Sequence, residues 1–549
     1  MDVDKAAELA VENVFKEGLT DIFPPPQELE LLKNRHFRAS LAKKVSKCIK
    51  GGNLESLDIN PISHVLLPKG GPFDFRRCAL IHPLDTIKYL ALVLTLADEI
   101  EKSRPSNSKR VVFSYRLRPS NGYLFDPKYN ITRFRKQTTA KTRQKRTKFL
   151  ATCDIADFYD RLNLHRLESA LLSLGLDKTR VRQINELLLF WANRDSYGLP
   201  VGSNASRILA EAALLEAALL EVDNYMVSIG ANFCRFVDDY RLFAPDAHSA
   251  HHWLTQLIER LWLEGLTINK AKTHVEYVSD LVETDEEKDK RSTEDGRGKA
   301  QRKDVKGEET KKEAGPVRLQ FKIVAGYGGI IPTRFRTPHH KEIDKLKTSD
   351  PASKLTALKA KKLPEPEDIT DFVKSVISTN RFGLFKELPE VADLFPQFTP
   401  YLVDVIIKYG DKIKNDDRVT LRDKFAKRLE MSPYLLPEYI AVAIVRLLGA
   451  KGYKDKGTLF EVFRGLRRNA GAYVGRTLLD ALEDQVTRGE VLEIRRYFAR
   501  ADSWEKRQIV RIVDKHLSED EKRPWLRNVR IQESRDLFLI EYIKPTKRE

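Results

Sequence analysis

Residues 235–243 read Arg-Phe-Val-Asp-Asp-Tyr-Arg-Leu-Phe, an apolar and aromatic segment that is interrupted by two adjacent acids, Asp238 and Asp239. Successive side chains of a strand point to opposite faces, so both carboxylates serve one site only if the backbone turns between them. We therefore predict a hairpin turn that places at least one carboxylate at an exposed strand tip. Such a carboxylate either holds a divalent cation or belongs to an ordinary acidic turn.

A second apolar segment, residues 149–159, also leads to an acid, Asp154. Its composition predicts a buried strand that ends at Asp154, followed by a helix that begins near Leu162. Acids from two distant strands can share two metal ions, of which one activates an attacking hydroxyl group and the other stabilises a leaving phosphate oxygen. The second acid therefore favours the metal site over the plain turn.

The composition indicates a globular protein of several domains with a polyanionic partner. With 549 residues, two or three domains are expected. The formal net charge of +17 favours nucleic acid, while surface charge that serves only solubility is the alternative. The four cysteines lack paired spacing, and neither a membrane span nor a secretory signal is recognisable. We expect an intracellular, soluble protein with reduced thiols and no membrane partner.

Hydrophobic periodicity outlines the elements around these acids. Residues 4–19 and 81–101 are predicted to be helices, and residues 110–116 are predicted to be a strand. A basic tract at 133–148 directly precedes the strand of Asp154, and it either guides nucleic acid or triphosphate or is a solvated loop.

The second half of the chain changes character. Residues 283–314 lack the apolar side chains that build a core, so we predict a mobile charged insertion, with strand-like sequence again at 317–331. Residues 361–367 are typical of a linker. Beyond the linker, helical spacing predicts packed helices that could form a solenoid-like stack. These segments lie around 401–409, 437–448, 474–482, 491–498, 504–517 and 537–543.

Four segments, in this order, resemble the motifs of the reverse transcriptase palm. They are Asp154–Tyr159, the glycine-rich Gly198–Ser206, Phe236–Asp239, and Gly265–Thr273, which ends in a Lys-Thr pair. The resemblance extends from about residue 110 to 331 and implies a nucleotidyltransferase, an RNA-directed DNA polymerase. The chain departs from the pattern at Val201, where the family often has glutamine.

The resemblance implies roles for individual residues. The implied catalytic residues are Asp154, Asp238, Asp239 and Lys272. The implied ligands of Mg²⁺, with Mn²⁺ as the alternative, are Asp154, Ile155, Asp238 and Asp239. The implied nucleotide-binding residues are Asp157, Phe158, Tyr159, Pro200 and Gly202. The implied nucleic-acid-binding residues are Arg133, Arg135, Lys136 and Ser206.

Some of these roles have alternatives. Asp238 is the acid of the doublet that is expected to act in catalysis, and Asp239 is expected to tune or support the site. Tyr159 stands where the family places a bulky residue that excludes a ribose 2′-hydroxyl, and a core tyrosine is the other interpretation. Lys272 either stabilises or protonates the pyrophosphate leaving group or caps a surface strand.

The resemblance also implies an α+β fold, with right-hand polymerase fingers and palm followed by an all-α, helical-repeat-like C-terminal domain. The helical N-terminal region and the start of the fingers are predicted at 1–105. The fingers and palm, with the insertion at 283–314, are predicted at 106–345, the linker at 346–367 and the helical domain at 368–549.

The segments 112–116, 502–507 and 524–526 are similar to bacterial defence-associated, abortive-infection reverse transcriptases. This likeness implies antiphage DNA synthesis in the bacterial cytoplasm. Its template would be a dedicated non-coding RNA, or synthesis would be untemplated and protein-primed. The implied partners are an RNA template, the DNA product, dNTPs and further copies of the chain. The alternatives are a catalytically silent RNA-binding scaffold and a retroelement enzyme of a group II intron or a diversity-generating element.

Overall fold

A computed structural model describes residues 1–549 except 21, 70–73, 194, 214–221, 282–334, 336, 339–345, 348, 363, 432–435, 467–470 and 544–549. The predicted charged insertion at 283–314 and the predicted strand at 317–331 lie outside the described residues. The four cysteines are free thiols, and three of them are buried. In the part of the chain that the structure describes, no helix is long and apolar enough to cross a membrane.

The central element is an antiparallel four-stranded sheet with the order β6-β7-β5-β8. Its strands are β5 (Phe149–Asp154), β6 (Phe233–Phe236), β7 (Asp239–Ala244) and β8 (His274–Tyr277). Every residue of β6 and β7 is buried, including the charged Arg235, Asp239 and Arg241. The helices at 131–142 and 247–263 pack against this sheet. The predicted strand that ends at Asp154 is confirmed.

Two antiparallel hairpins precede the sheet. The first pairs β1 (Ser63–Pro68) with β2 (Phe75–Leu80), and the second pairs β3 (Leu117–Ser120) with β4 (Tyr123–Phe125). The strand predicted at 110–116 is wrong, because only Val112 forms an isolated bridge there, with Arg235. Arg110 and Tyr115 have φ angles of 50° and 44°, which turn the backbone out of the extended region at both ends of the segment.

The described residues up to 105 form five α-helices. The helix predicted at 4–19 is confirmed, whereas the helix predicted at 81–101 is two helices that are separated at Thr95 and Leu96. The carbonyl of Thr95 accepts a hydrogen bond from the N-terminal ammonium group of Met1 at 3.1 Å, outside any helical ladder. The helices are Val3–Glu17, Arg35–Lys50, Leu54–Leu57, Pro83–Leu94 and Ala97–Ser103.

The described residues form seven further helices between the second hairpin and residue 263. The helix predicted after Asp154 is confirmed as a short helix followed by a longer one. The helices are Ile131–Thr142, Phe158–Arg161, Leu164–Ser173, Lys178–Ala192, Asn204–Ala213, Val222–Ser228 and Ala247–Leu263. Short 3₁₀ segments occur at Gln27–Lys33, Asn107–Lys109, Lys270–Lys272, Val278–Leu281, Phe382–Glu387, Pro396–Phe398, Gly410–Lys412 and Phe498–Arg500.

The described residues from 351 onward are helical, and the six helices predicted there are confirmed. Each helix of one series packs on the helix that lies two helices further along the chain, which gives a layered stack. This series consists of the helices at 399–408, 438–449, 472–482, 503–516 and 537–543. The helices are Pro351–Ala360, Pro366–Thr379, Leu388–Leu394, Thr399–Lys408, Asn415–Met431, Glu438–Gly449, Lys456–Leu466, Ala472–Leu482, Arg488–Tyr497, Ser503–His516, Glu519–Gln532 and Leu537–Ile543.

Buried ion pairs join the two ends of the chain. Glu28, near the N-terminus, accepts hydrogen bonds from Arg507 Nε at 3.0 Å and from Arg476 Nη2 at 3.2 Å. All three side chains are buried, so the pairs are shielded from water. The rings of Phe37 and Phe538 also pack edge to face at 5.4 Å. The helical stack therefore shares a core with the N-terminal helices.

Candidate active site

The sheet brings the predicted acids together. In the antiparallel register of β5 and β7, Asp154 lies directly opposite Asp239. The pairing continues into the turn, because the backbone N–H of Ile155 donates to the carbonyl of Asp238 at 3.0 Å. Residues 85 positions apart in the sequence thus form one acidic cluster at the end of two central strands.

The predicted hairpin turn at the acidic doublet is present between β6 and β7. Val237 occupies the left-handed region with a φ of 58°, an unfavourable conformation for a β-branched residue. Asp239 is buried, with 6% of its surface exposed, and Asp238 is half-buried. The carboxylate at the turn is therefore more enclosed than a fully exposed strand tip would be.

Burial and mutual repulsion destabilise the charged forms of the doublet. Burial and the nearby charge of Asp154 together raise the pKa of Asp238 to about 7, against the lowering effect of a backbone hydrogen bond. Burial likewise raises the pKa of Asp239 to about 6, although Arg241 opposes the rise. A cation bound between these carboxylates would favour their charged forms.

The donor set fits a hard divalent cation that shares its ligands with a substrate. Among the described residues, no group of three or more histidine, cysteine, aspartate or glutamate side chains is arranged as a metal centre. Mg²⁺ is usually held by one or two carboxylates together with substrate phosphates rather than by a complete protein cage. Asp154 and Asp238 match that requirement. Ile155 is buried and adjoins the same cluster, because its N–H donates to the carbonyl of Asp238.

Asp239 has an arginine partner that the sequence interpretation missed. Arg241 binds both of its carboxylate oxygens, with Nη2 donating to Oδ2 at 2.9 Å, and 5% of Arg241 is exposed. The two residues lie on the same face of β7, because side chains two positions apart in a strand point the same way. This spacing could have revealed the pair in the sequence. Arg241 supplies a permanent counter-charge for Asp239.

Lys272 lies at the acidic cluster. Its Nζ is 3.4 Å from Oδ2 of Asp154, and 44% of its side chain remains exposed. The backbone N–H of Asn269 donates to the carbonyl of Asp154 at 2.7 Å, which fixes this segment beside β5. A partly exposed ammonium group at this position can approach an anionic ligand of the cluster.

Tyr159 and the glycine-rich segment are neighbours. The N–H of Leu199 donates to the carbonyl of Tyr159 at 2.9 Å, and the N–H of Gly198 donates to the carbonyl of Leu162 at 2.9 Å. Tyr159 is 7% exposed, and Phe158 packs against its ring edge at 5.7 Å. The predicted gate is therefore a mostly buried tyrosine whose backbone is bonded to the loop that follows Gly198.

The other predicted nucleotide-binding residues differ in exposure. Asp157 is exposed and left-handed, with a φ of 44°, whereas Pro200 is buried. Gly202 has a φ of 116°, and an added Cβ would lie 2.5 Å from the hydroxyl of Thr20 and 2.9 Å from Ile22. Glycine is required here because the N-terminal segment packs directly on it.

The predicted nucleic-acid-binding residues lie in two environments. Arg133 and Lys136 are exposed on the helix at 131–142, and Arg135 is half-buried. The loop alternative for this part of the tract is thus wrong. Lys141 of the same helix is buried and donates to the carbonyl of Phe233 at 2.8 Å. Ser206 is fully buried and shares hydrogen bonds with Tyr89 and Ser203.

The hairpin β1–β2 contributes cations that the sequence interpretation missed. Nζ of Lys69 lies 3.9 Å from Oδ1 of Asp157. Arg77, Lys69 and Arg76 all lower the pKa of Asp160, which burial and the charge of Asp157 raise above its usual value. Three cations therefore face the short helix that carries Tyr159. Their position could not be read from sequence, because 77 residues lie between the end of the hairpin at Leu80 and the start of that helix at Phe158.

Residues 100–308 match the sequence model of a family described as reverse transcriptase (RNA-dependent DNA polymerase). No curated protein matches the chain. Among solved structures, the chain is similar to telomerase from Candida albicans in complex with a fragment of telomeric RNA. The identity is 15%, the TM-score is 0.28, and the match covers 80% of this chain and 67% of that chain.

The family match confirms the predicted enzyme class and fold class. The chain contains a reverse transcriptase domain, which indicates a nucleotidyltransferase, an RNA-directed DNA polymerase. Its fold is α+β, with the polymerase domain followed by a largely helical C-terminal region.

Proposed function

We propose that this RNA-directed DNA polymerase uses two-metal nucleotidyl transfer and serves antiphage defence in the bacterial cytoplasm. The main support for two-metal nucleotidyl transfer is the strand register, which places Asp154 opposite Asp239, with Asp238 at the adjoining turn. In the proposed role the chain binds an RNA template, the DNA product and dNTPs.

In this proposal, Asp154, Asp238 and the carbonyl of Ile155 hold Mg²⁺, or Mn²⁺ in its place, and Asp239 supports them. When bound, the divalent cations lower the pKa of the primer hydroxyl and neutralise charge on the triphosphate. Lys272, 3.4 Å from Asp154, stabilises the departing pyrophosphate. Its partial exposure and positive charge support that role.

The nucleotide would lie between the short helix at 158–161 and the glycine-rich loop. Tyr159 would exclude a ribose 2′-hydroxyl, with Phe158 and Pro200 holding the ring and loop in place. Asp157 and Gly202 complete the proposed nucleotide-binding set. The cations of the β1–β2 hairpin support a triphosphate at this position, because charge-assisted hydrogen bonds favour phosphate oxygens.

The template and product would contact the helix at 131–142. The exposed side chains of Arg133 and Lys136, together with Arg135, can neutralise backbone phosphates. Ser206 is buried, so its proposed contribution is to hold the glycine-rich segment through its bonds with Tyr89 and Ser203.

The defence role rests on the likeness of the upstream and C-terminal segments to abortive-infection reverse transcriptases. We assign the regions 1–105, 106–345, 346–367 and 368–549 to an N-terminal region, fingers and palm, linker and helical domain. The helical stack offers a large surface for further copies of the chain. The template is either a dedicated non-coding RNA or absent, with synthesis primed by the protein itself.

The test compares wild type, Asp238→Asn and Asp246→Asn in phage-challenged cells. Asp246 is an exposed helix N-cap that asparagine can replace, so Asp246→Asn is a matched control. We expect wild type and the control to protect, and to be recovered with bound RNA and newly made DNA. DNA attached to the polypeptide would establish protein priming. Equal protection by Asp238→Asn would contradict a defence role that depends on synthesis.

A further inference from the structure

Arg235 is a fully buried arginine directly below the catalytic turn, with 1% of its surface exposed. Its Nε and Nη2 donate to the carboxylate of Asp223 at 2.9 and 2.6 Å, and Nη2 also donates to Glu211 at 2.8 Å. Its Nη1 donates to the carbonyl of Val237 at 2.8 Å. The guanidinium group thus connects two buried acids with the backbone of the turn that presents Asp238.

The bonded carbonyl belongs to the conformationally strained residue of the site. Val237 is buried and has a φ of 58°, and such a backbone persists only when its surroundings hold it. The backbone of Arg235 is itself fixed, because its N–H donates to the carbonyl of Val111 at 2.7 Å and its carbonyl accepts from Phe113 at 2.9 Å. The residue that donates to the Val237 carbonyl, Arg235, is therefore anchored by backbone bonds outside the turn.

The acids that orient Arg235 are held in turn by other side chains. Glu211 accepts hydrogen bonds from Arg104 at 2.7 Å and from the hydroxyl of Ser114 at 2.6 Å. Asp223 accepts from the hydroxyl of Tyr240 at 3.0 Å. Arg104 also pairs with Glu101 at 2.9 Å, and Glu101 pairs with Arg116 at 2.9 Å. Three arginines thus balance three acids, so the network is neutral without any ligand. This closed charge balance points to an internal support rather than a binding site.

We propose that Arg235 is a positioning residue that holds the Val237 carbonyl, and so keeps the turn in the conformation that aims Asp238 at Asp154. The proposal rests on the proposed function, because Asp238 is taken as the acid that acts in nucleotidyl transfer. Asp223 and Glu211 set the orientation of the guanidinium group. A purely structural arginine would stabilise the fold without influencing the geometry of the turn.

Replacing Arg235 alone would leave Asp223 buried and unpaired, so the test uses the doubly neutral variant Arg235→Gln/Asp223→Asn. Glu211 retains Arg104 in this variant, and the buried charge stays balanced. We expect a melting temperature near that of wild type, unchanged RNA binding and a KM for dNTP within about twofold. We expect kcat to fall at least about tenfold, because the lost group acts only through Asp238.

Adding Val237→Gly separates positioning from folding. Glycine adopts a positive φ without steric cost, so the turn no longer depends on the bond from Arg235. In each background, kcat with Val237→Gly is divided by kcat without it. We expect this ratio to be at least about threefold larger in the Arg235→Gln/Asp223→Asn background than in the wild-type background. A folded Arg235→Gln/Asp223→Asn variant with kcat within twofold of wild type, or an equal ratio in both backgrounds, would overturn the proposal.

A second measurement keeps this inference distinct from the proposed function. Binding of Mn²⁺, followed by electron paramagnetic resonance, reports the arrangement of Asp154 and Asp238 without any turnover. We expect the doubly neutral variant to bind Mn²⁺ at least about fivefold more weakly, with recovery on adding Val237→Gly. If the wild type showed no polymerase activity but the Mn²⁺ affinities followed this pattern, the result would contradict the proposed function and not the positioning role of Arg235. Unchanged Mn²⁺ affinity in the variant would count against positioning.

Discussion

Arg241 binds Asp239 with two hydrogen bonds from two positions further along the same strand, so the acids of the doublet are electrostatically unequal. Asp239 carries its own buried counter-charge. Asp238 is at the turn, where burial and the nearby charge of Asp154 raise its pKa. A divalent cation thus relieves more repulsion at Asp238 than at Asp239. The pair with Arg241 supports the division of the doublet into a metal-binding acid and a supporting acid.

Removing the charge of each acid should have unequal effects. Asp154→Asn and Asp238→Asn should lower kcat by at least about 100-fold, the range that follows from losing one preorganised electrostatic partner. Asp239→Asn should lower kcat less, because Arg241 already neutralises that carboxylate. Single-turnover incorporation of a dNTP measures all three variants. Equal losses in Asp238→Asn and Asp239→Asn would contradict the division of roles.

The buried pair of Asp239 and Arg241 should be visible in stability. Arg241→Met leaves the Asp239 carboxylate buried without its partner, and we expect a loss of about 3–5 kcal/mol in unfolding free energy. Adding Asp239→Asn removes the stranded charge, so the double variant should recover part of that loss. Denaturant titration in the absence of divalent cations provides the comparison. A double variant no more stable than Arg241→Met would rule out the charge as the cause.

Tyr159 should control the choice of sugar. Tyr159→Val opens the space of the ring, so the preference for dNTP over rNTP should fall by at least about tenfold in kcat/KM. Tyr159→Phe keeps the ring and serves as the control with unchanged preference. Competition between dCTP and CTP measures the ratio. If both variants discriminate like wild type, Tyr159 is a core tyrosine rather than a gate.

We expect Glu505 to make the stability of the helical region dependent on pH. Burial, with the charge of Asp502, raises the pKa of Glu505 to about 7 against opposing hydrogen bonds. Because the folded-state pKa lies above the unfolded value, its stabilising contribution is present at low pH and is lost as the pH rises through about 7. Glu505→Gln should therefore be more stable than wild type at pH 8, by about 2 kcal/mol, and similar at pH 5. Thermal unfolding at both pH values measures this difference, and a pH-independent gap would contradict the assignment.

Much of the fold could be predicted from local sequence patterns. The turn at the acidic doublet follows from strand alternation, and the C-terminal helices follow from apolar residues at helical spacing. Both depend on interactions within a few residues. The sequence also predicted the two strands that carry the acids, because buried central strands have a nearly continuous apolar composition.

Features that depend on distant partners could not be predicted in this way. The segment at 110–116 looks like a strand, but Arg104 holds the carbonyl of Tyr115 at 3.0 Å while Tyr115 adopts a positive φ. Lys141 belongs to a basic tract, yet the packing of its helix on β6 turns it inward to Phe233. Glu211 meets Arg104 across 107 positions of sequence. No local periodicity encodes such contacts.

The most direct test of the central claim is RNA-templated DNA synthesis by purified protein. Wild type and Asp246→Asn, supplied with a primed RNA template, dNTPs and Mg²⁺, should extend the primer, and chelation of Mg²⁺ should stop the extension. Asp154→Asn and Asp238→Asn, folded as judged by thermal unfolding, should give no product above background. Extension by either variant at the wild-type rate would contradict the assignment of these two acids to nucleotidyl transfer.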